Sequence, residues 1–345
     1  MYKIDKVGMD MVSKRKTLLT IGVIIVSLMI LAFSWIQNNN EQIEPGEMTT
    51  VKIGVSQTPL SAPLIIAKEL GFLSDGQLNI ELVPCFGGVK CTAMLIAGEV
   101  KYATSSESVV MFESFKGSNL AILASFVSSD GDVKLLTPSV LNINQVSDLS
   151  GKRIGVVKAS SSEFYLDSVL SANNQKHLNF EKVYLNATDM VSALQTSQVD
   201  AISVWEPFGY QAHIEFNSQI NDLGIKGVYE LAFNLISLKQ YFDSSDDEAM
   251  RIIEVLDKAI EWINHNPDEA IQILSRSLDV KSGQLLWSWN QYVFRLSLGN
   301  SLLYSLQLQS RWALDEGLVE GEEPNYRNVF YSKPFETYQK NGGVR

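Results

Sequence analysis

The sequence predicts an α/β protein of two lobes. Each lobe is built on a doubly wound, mostly parallel sheet, and helices from the C-terminal part pack on the first lobe. Three observations lead there. Short apolar strands alternate with helices from Val51 onward, the signature of a parallel sheet with crossover helices. The alternation restarts after Asp148-Leu-Ser-Gly151. From Ser245 the pattern changes to helices alone.

In the first unit, Val51–Val55 is a short buried strand, and Ser61-Ala62-Pro63 opens a helix to Leu70 that Gly71 closes, with proline inside the start and glycine past the end. Leu78–Val83 alternates as a second strand, Lys90–Ala97 is a helix, Val100–Thr104 a third strand, and Ser105-Ser106-Glu107 opens a helix toward Phe115. Asn119–Val127 is a fourth strand. The second unit reads as strand Lys152–Val157, loop and helix Ser160–Leu170, strand Glu181–Leu185, helix Thr188–Ser197, strand Val199–Val204 and helix Pro207–Phe216. Beyond it, Ser245-Asp-Asp-Glu248 has the form of a capping box. Ile253, Leu256, Ile260 and Ile263 make one apolar stripe. Asn266-Pro267 opens another helix, and further helices are expected over Leu285–Phe294 and Asn300–Glu316. Trp262, Trp287, Trp289 and Trp312 read as core and lobe surface.

The chain has 345 residues, 46% of them hydrophobic and 19% charged, with a net charge of -11. That is enough length for two ordinary lobes. The negative balance argues against nucleic acid and gives no long-range pull on an anion, so any anion must be held by local dipoles. Residues 1–16 read as a basic cytoplasmic tail ending in Lys14-Arg15-Lys16. The uncharged run within 17–36 is about 19 residues, or roughly 28 Å as a helix, close to the bilayer core. It reads first as an uncleaved membrane anchor that places the rest outside, with a cleaved signal peptide as the alternative. Residues 37–50 read as a polar stalk. Lobe 1 is expected over 51–132 plus 232–335 and lobe 2 over 133–231.

Open α/β sheets bind ligands beyond the carboxyl ends of their strands, where helix N-termini point. The turns there carry Gln57 and Thr58, Gly87 and Gly88, Ser105 and Ser106, and Ser160 and Ser161. Each N-terminus offers unpaired N–H donors and about half a positive charge, and serine adds rotatable donors. Taken singly, each serine cluster is an ordinary N-cap. Four at matching turns make a site. Trp205 and Glu206, in Trp205-Glu-Pro-Phe208, place an indole and a carboxylate at the same edge of the second sheet. Glu107 and Glu163 belong near it, and two inward carboxylates would call for a ligand with a positive or hydrogen-bond-donating group. Cys85 and Cys91 flank the diglycine turn and are either a disulfide of an exported protein or two semi-buried thiols. His177, His213 and His265 have no metal spacing, and neither a metal nor a cofactor is expected. No Ser/His/Asp set and no Gly-rich phosphate loop is present. The chain therefore reads as a capture device for one small solute, not as an enzyme.

Lys52-Ile-Gly-Val55, Ala67-Lys-Glu-Leu-Gly-Phe72, Ala97-Gly-Glu-Val100, Asp148-Leu-Ser-Gly-Lys-Arg-Ile-Gly-Val156, Gln198-Val-Asp-Ala201 leading into Trp205-Glu-Pro-Phe208, Ala259-Ile-Glu-Trp-Ile263 and Asn266-Pro-Asp-Glu-Ala270 together resemble the solute-binding proteins of ABC importers. The specific likeness is to the nitrate/sulfonate/taurine and thiamine-pyrimidine-precursor (NMT1/THI5-like) group, over about Val51 to Leu318. Lys101 departs from the acidic residue common there. The resemblance implies the type 2 periplasmic-binding-protein fold, two lobes closing on a ligand about crossings near Val127–Leu136 and Leu231–Ile236. It also implies ligand contacts at Gln57, Thr58, Ser105, Ser106, Ser160, Ser161, Trp205 and Glu206. The function implied is extracytoplasmic capture of a small anion or zwitterion, such as a sulfonate, taurine or nitrate, by a monomer that delivers it to an ABC permease and ATPase. A thiamine pyrimidine precursor as ligand, and a membrane-tethered sensor without transport, are the alternatives.

Overall fold

The computed structural model describes residues 49–343 except Asp243. The basic tail, the apolar run of 17–36 and most of the stalk lie outside the described residues. Among those described, no helix is long and apolar enough to cross a membrane.

Two sheets organise the chain. The first is built from β1 (Thr49–Ser56), β2 (Leu78–Cys85), β3 (Tyr102–Ser106), β4 (Leu120–Ser129), β10 (Leu231–Leu238) and β11 (Tyr292–Ser297), in the order β11-β4-β10-β3-β1-β2. The second holds β5 (Val133–Pro138), β6 (Arg153–Val156), β7 (Glu181–Tyr184), β8 (Ala201–Trp205) and β9 (Ile220–Asp222), in the order β7-β6-β8-β5-β9. Each sheet has a wound parallel core, β2-β1-β3 in one and β7-β6-β8 in the other. The strands entering and leaving that core pair antiparallel: β10 with β3 and β4, β11 with β4, and β5 with β8 and β9. Parallel pairing is thus confined to strands joined by crossover helices, and the sheets are mixed.

The helices joining these strands are α1 (Ala62–Glu69), α2 (Gly87–Ile96), α3 (Glu107–Phe115), α4 (Ser161–Ala172), α5 (Met190–Gln195) and α6 (Phe208–Glu215). Then come α7 (Asp246–His265), α8 (Pro267–Ser277), α9 (Ser282–Ser288), α10 (Asn300–Asp315) and α11 (Lys333–Lys340). The stripe read from the sequence is the buried face of α7, where Ile253, Leu256, Ile260 and Ile263 join Ala249, Ile252 and Ala259. That face packs on α1, so the C-terminal helices cover lobe 1. Burying one such aliphatic side chain is worth about 2 kcal/mol, and the length of the stripe makes α7 a rigid wall.

Several expectations need correction. β1 begins at Thr49, two residues inside the expected stalk, because Thr49 and Thr50 already pair with Leu78 and Asn79. The span Leu285–Phe294 is not one helix. α9 stops at Ser288 and β11 follows, with burial alternating along Tyr292–Ser297, a period of two masked in the sequence by the preceding helical residues. The capping box at Ser245 does not form. Glu248 instead faces Lys101 at 2.7 Å and accepts from Tyr102 Oη at 2.7 Å, and Lys101 also donates to Ser245. Lys101, where the resemblance implies an acidic residue, thus binds α7 to the sheet.

The chain passes between sheets twice, over 130–132 from β4 to β5 and over 223–230 from β9 to β10. The second passage lies just before Leu231–Ile236, which is already inside β10. Cys85 at the end of β2 and Cys91 in α2 are joined by a disulfide, which clamps the turn through Gly87 and Gly88. For so short a loop the chain-entropy contribution is about 2 kcal/mol. Replacing both cysteines by serine should lower the urea unfolding free energy by about that amount, and adding reductant to the wild type should reproduce the loss. An unchanged denaturation midpoint in both cases would contradict it.

Candidate functional site

Between the lobes lies a cleft bounded by the carboxyl ends of both parallel cores. Lobe 1 contributes Ser56 at the end of β1, Thr58 and Leu60 in the turn after it, Gly87, Gly88 and Val89 at the start of α2, Ser106 and Val109 at the start of α3, and Leu231 and Phe233 of β10. Lobe 2 contributes Ser160 and Ser161 at the start of α4 and Trp205 at the end of β8. Asp132, on the first passage between lobes, completes it. Among the described residues, every helix that meets the cleft does so with its N-terminus, and no Lys, Arg or His lines it.

Pairs of neighbours expected at the site separate by a simple rule. In extended chain, successive side chains point to opposite sides, so one member faces the cleft and the other turns away. Thr58, extended at φ -137° and ψ 160°, lines it. Gln57 instead folds back to donate to Val55 O at 3.2 Å and lines a separate cavity with Lys68 and Ser277. Ser106 lines the cleft, whereas the Ser105 hydroxyl accepts from Thr92 Oγ1 at 2.8 Å beneath Gly88. Trp205 faces in. Glu206 faces away, accepting from the Tyr210 backbone N–H at 2.9 Å and packing on Gly209. Ser160 and Ser161 escape the rule because the chain turns helical there. Ser160 also serves as the N-cap, accepting from Ser162 N while donating to Val157 O.

The two glycines are required by contact. Gly87 has φ +79°, and a Cβ on it would lie 3.1 Å from the Trp205 ring. A Cβ on Gly88 would lie 3.1 Å from Ser105 Cα, Ser105 Oγ and Ser106 N. Glycine here lets the first turn of α2 approach both β3 and the indole of the opposite lobe. The other acidic residues placed near the cleft face elsewhere. Glu107 is fully buried, accepting from Tyr229 Oη, Ala232 N and Gln309 Nε2. Glu163 accepts from Ala159 N and Tyr184 Oη and meets Lys182 at 3.5 Å.

Asp132 was not expected. In the sequence it is an ordinary loop residue after Gly131, and only the pairing of β5 against β8 carries it beside Trp205. It is 1% exposed. Its Oδ1 accepts from Tyr292 Oη at 2.9 Å. Its Oδ2 has no hydrogen-bond partner among the described residues, and neither does Thr58 Oγ1. Burial, reinforced by Glu206, pushes the Asp132 carboxyl up to about 7 against the Tyr292 hydrogen bond and Lys134. Burial likewise raises Glu206 and Glu107 to about 7.

Two lobes on mixed sheets, joined by two crossings and enclosing a cleft of helix N-termini, make the periplasmic-binding-protein fold. The chain belongs to the NMT1/THI5 like family, whose model matches residues 58–270. A Bacillus subtilis protein named for binding aliphatic sulfonates is 26% identical over 274 residues, 75% of this chain and 80% of the relative. A Haemophilus influenzae protein named for thiamine biosynthesis is 22% identical over 245 residues, 66% of this chain and 74% of its own. Among solved structures, the alkanesulfonate-binding protein SsuA from Xanthomonas axonopodis pv. citri bound to MOPS superposes with a TM-score of 0.75 at 18% identity, covering 83% of this chain and 99% of that one. The nitrate-binding protein NrtA from Synechocystis PCC 6803 gives 0.68 at 14% identity, covering 87% and 90%.

The raised carboxyls set a pH dependence. A buried acid that keeps its proton to about 7 when folded, but releases it near 4 when unfolded, makes the folded state the better proton binder in between. Stability from Glu107, Asp132 and Glu206 is therefore present at the acid end of that window and declines as pH rises through it. Each group contributes up to about 1.4 kcal/mol per pH unit. Urea unfolding across the window should show the decline, and Glu107→Gln should make it shallower. A rise in stability over the same range would refute the assignment.

Proposed function

We propose that this protein is the extracytoplasmic solute-binding component of an ABC importer, and that its cleft captures a small anion or zwitterion of the sulfonate, taurine or nitrate kind. The observation that carries the reading is the convergence of helix N-termini from both lobes on one cleft, with no basic side chain lining it among the described residues. Aligned N–H groups at helix starts bind anions through hydrogen bonds and the partial positive charge of the helix. With a net charge of -11 on the chain, such short-range donors are the means of holding a negative group. Trp205 supplies a flat apolar wall for the solute's carbon skeleton. The names of the relatives, for aliphatic sulfonates, alkanesulfonate and nitrate, support the same solute class.

The two crossings act as the hinge, and the lobe-closed form is what a permease would recognise. In this reading the working unit is a monomer and the partners are a permease and an ATPase. The disulfide accords with an oxidising compartment outside the cytoplasm. Residues 17–36 would either tether the chain to the outer face of the membrane or serve as its export signal. A pyrimidine precursor of thiamine is the second reading, favoured by the relative named for thiamine biosynthesis.

Isothermal titration of the external part with taurine, ethanesulfonate, nitrate and an aminopyrimidine tests both readings. Heat from an anion or zwitterion supports the first, heat from the aminopyrimidine alone moves the assignment to the second, and silence from all of them removes both. For whichever ligand binds, Trp205→Ala should weaken affinity by about tenfold or more, the value of a lost aromatic contact in a desolvated pocket.

A further inference from the structure

The cleft has two chemically different ends. One is the set of N–H donors at the starts of α2, α3 and α4. The other is Asp132, the one charged side chain that lines the cleft among the described residues, which sits on the crossing segment rather than on a helix start. Asp132 is held from behind by Tyr292 Oη on Oδ1, and by its own backbone O accepting from Glu206 N at 3.1 Å. Its Oδ2 is buried without a partner among the described residues. Lys134, the nearby cation, donates to Gln291 Oε1 at 3.2 Å instead. A buried acceptor left unmet costs about 1–3 kcal/mol, and more when charged. A ligand that brings a donor to this oxygen recovers that cost, and a ligand with nothing to offer there leaves it standing.

We propose that Asp132 is a specificity residue for the cationic, hydrogen-bond-donating end of the solute, so that the protein selects an aminosulfonate-type zwitterion over a simple sulfonate. This rests on the reading of the cleft as a solute site given above and narrows it. The solute spans the cleft, with its ammonium on Asp132 and its anionic group on the helix starts. Thr58, whose buried hydroxyl also lacks a partner among the described residues, lines the same cleft. Four groups from surrounding elements act on the Asp132 charge: Glu206 after β8, Lys134 on β5, Tyr292 on β11 and Tyr229 on the second crossing. Glu206 opposes ionisation, while Lys134 and the Tyr292 hydrogen bond favour it. An ammonium beside Asp132 adds to the second side, so binding releases a proton where the free carboxyl is still protonated. Affinity for the zwitterion then rises with pH up to about 7 and levels off above it.

Taurine and ethanesulfonate differ by the ammonium group and form the natural pair of probes. In calorimetric titrations the wild type should bind taurine at least about tenfold more tightly than ethanesulfonate, the value of a hydrogen bond to a charged group. Asp132→Asn should bring that ratio toward one and abolish the pH slope. Thermal melts of the variant confirm that it is folded, and the wild-type ratio decides the matter without it. Equal affinity of the wild type for the two sulfonates, or an undiminished taurine preference in the variant, overturns the assignment of Asp132 while leaving the sulfonate cleft intact. Heat from neither sulfonate overturns the sulfonate reading and this one together.

Discussion

β10 lies antiparallel between β3 and β4, and through it the chain's return from the second sheet is locked into the middle of the first. The site depends on that arrangement. Because the return strand is central, the two crossings are short and adjacent to the wound cores. The carboxyl ends of β1, β2, β3, β6 and β8 therefore face one another across a gap instead of opening to different sides. The helix starts that follow those strands carry unpaired N–H groups wherever they occur. Only the double crossing brings those of α2, α3 and α4 to a common point, and it sets Asp132 among them.

Several contacts bridge the gap. Trp205 of one lobe rests on Gly87 of the other. Trp312 of α10 donates to Asp167 of α4 at 3.1 Å and meets the ring of Phe164 edge-on. Lys176 and Glu316 form an ion pair at 3.4 Å, and the His213 ring lies 4.6 Å from that of Trp287. The partly exposed Lys176–Glu316 pair contributes on the order of 0–1 kcal/mol, whereas Trp205, Phe164 and Asp167 are buried. One buried apolar cluster also runs through both lobes, with Ile53 and Leu235 of the first and Ile154 and Leu166 of the second. Within lobe 1, α7 alone buries a full apolar face.

Electrostatics divides in the same way. Among the described residues no basic side chain lines the cleft, so a negative group would be held by peptide dipoles, which are effective only at contact distance and in a dry setting. The buried carboxyls of Glu107, Asp132 and Glu206 pay a desolvation cost that raises their proton affinity. Glu107 meets that cost with three donors, from the second crossing, β10 and α10. Asp132 meets it with one.

Local order was legible in the chain itself. Strand and helix periods, the glycine and proline punctuation and the apolar stripe of α7 depend on neighbours a few residues away, and they appear nearly where the pattern put them. Helix starts at the sheet's edge were legible too, because serine and glycine after a strand mark them. What the pattern could not supply was direction. Gln57 and Thr58, Ser105 and Ser106, and Trp205 and Glu206 are adjacent and chemically similar as candidates. Which member faces the cleft depends on strand register, a property of the whole sheet. The edge strand β11 was read as helix because its alternation is meaningful only against β4. Asp132 was invisible for the same reason: its carboxylate becomes a wall of the cleft only when β5 pairs with β8 and Tyr292, 160 residues further along, closes behind it. Periodicity and turn chemistry are written in short stretches of sequence, whereas a solute cleft is made by residues that only long-range packing brings together.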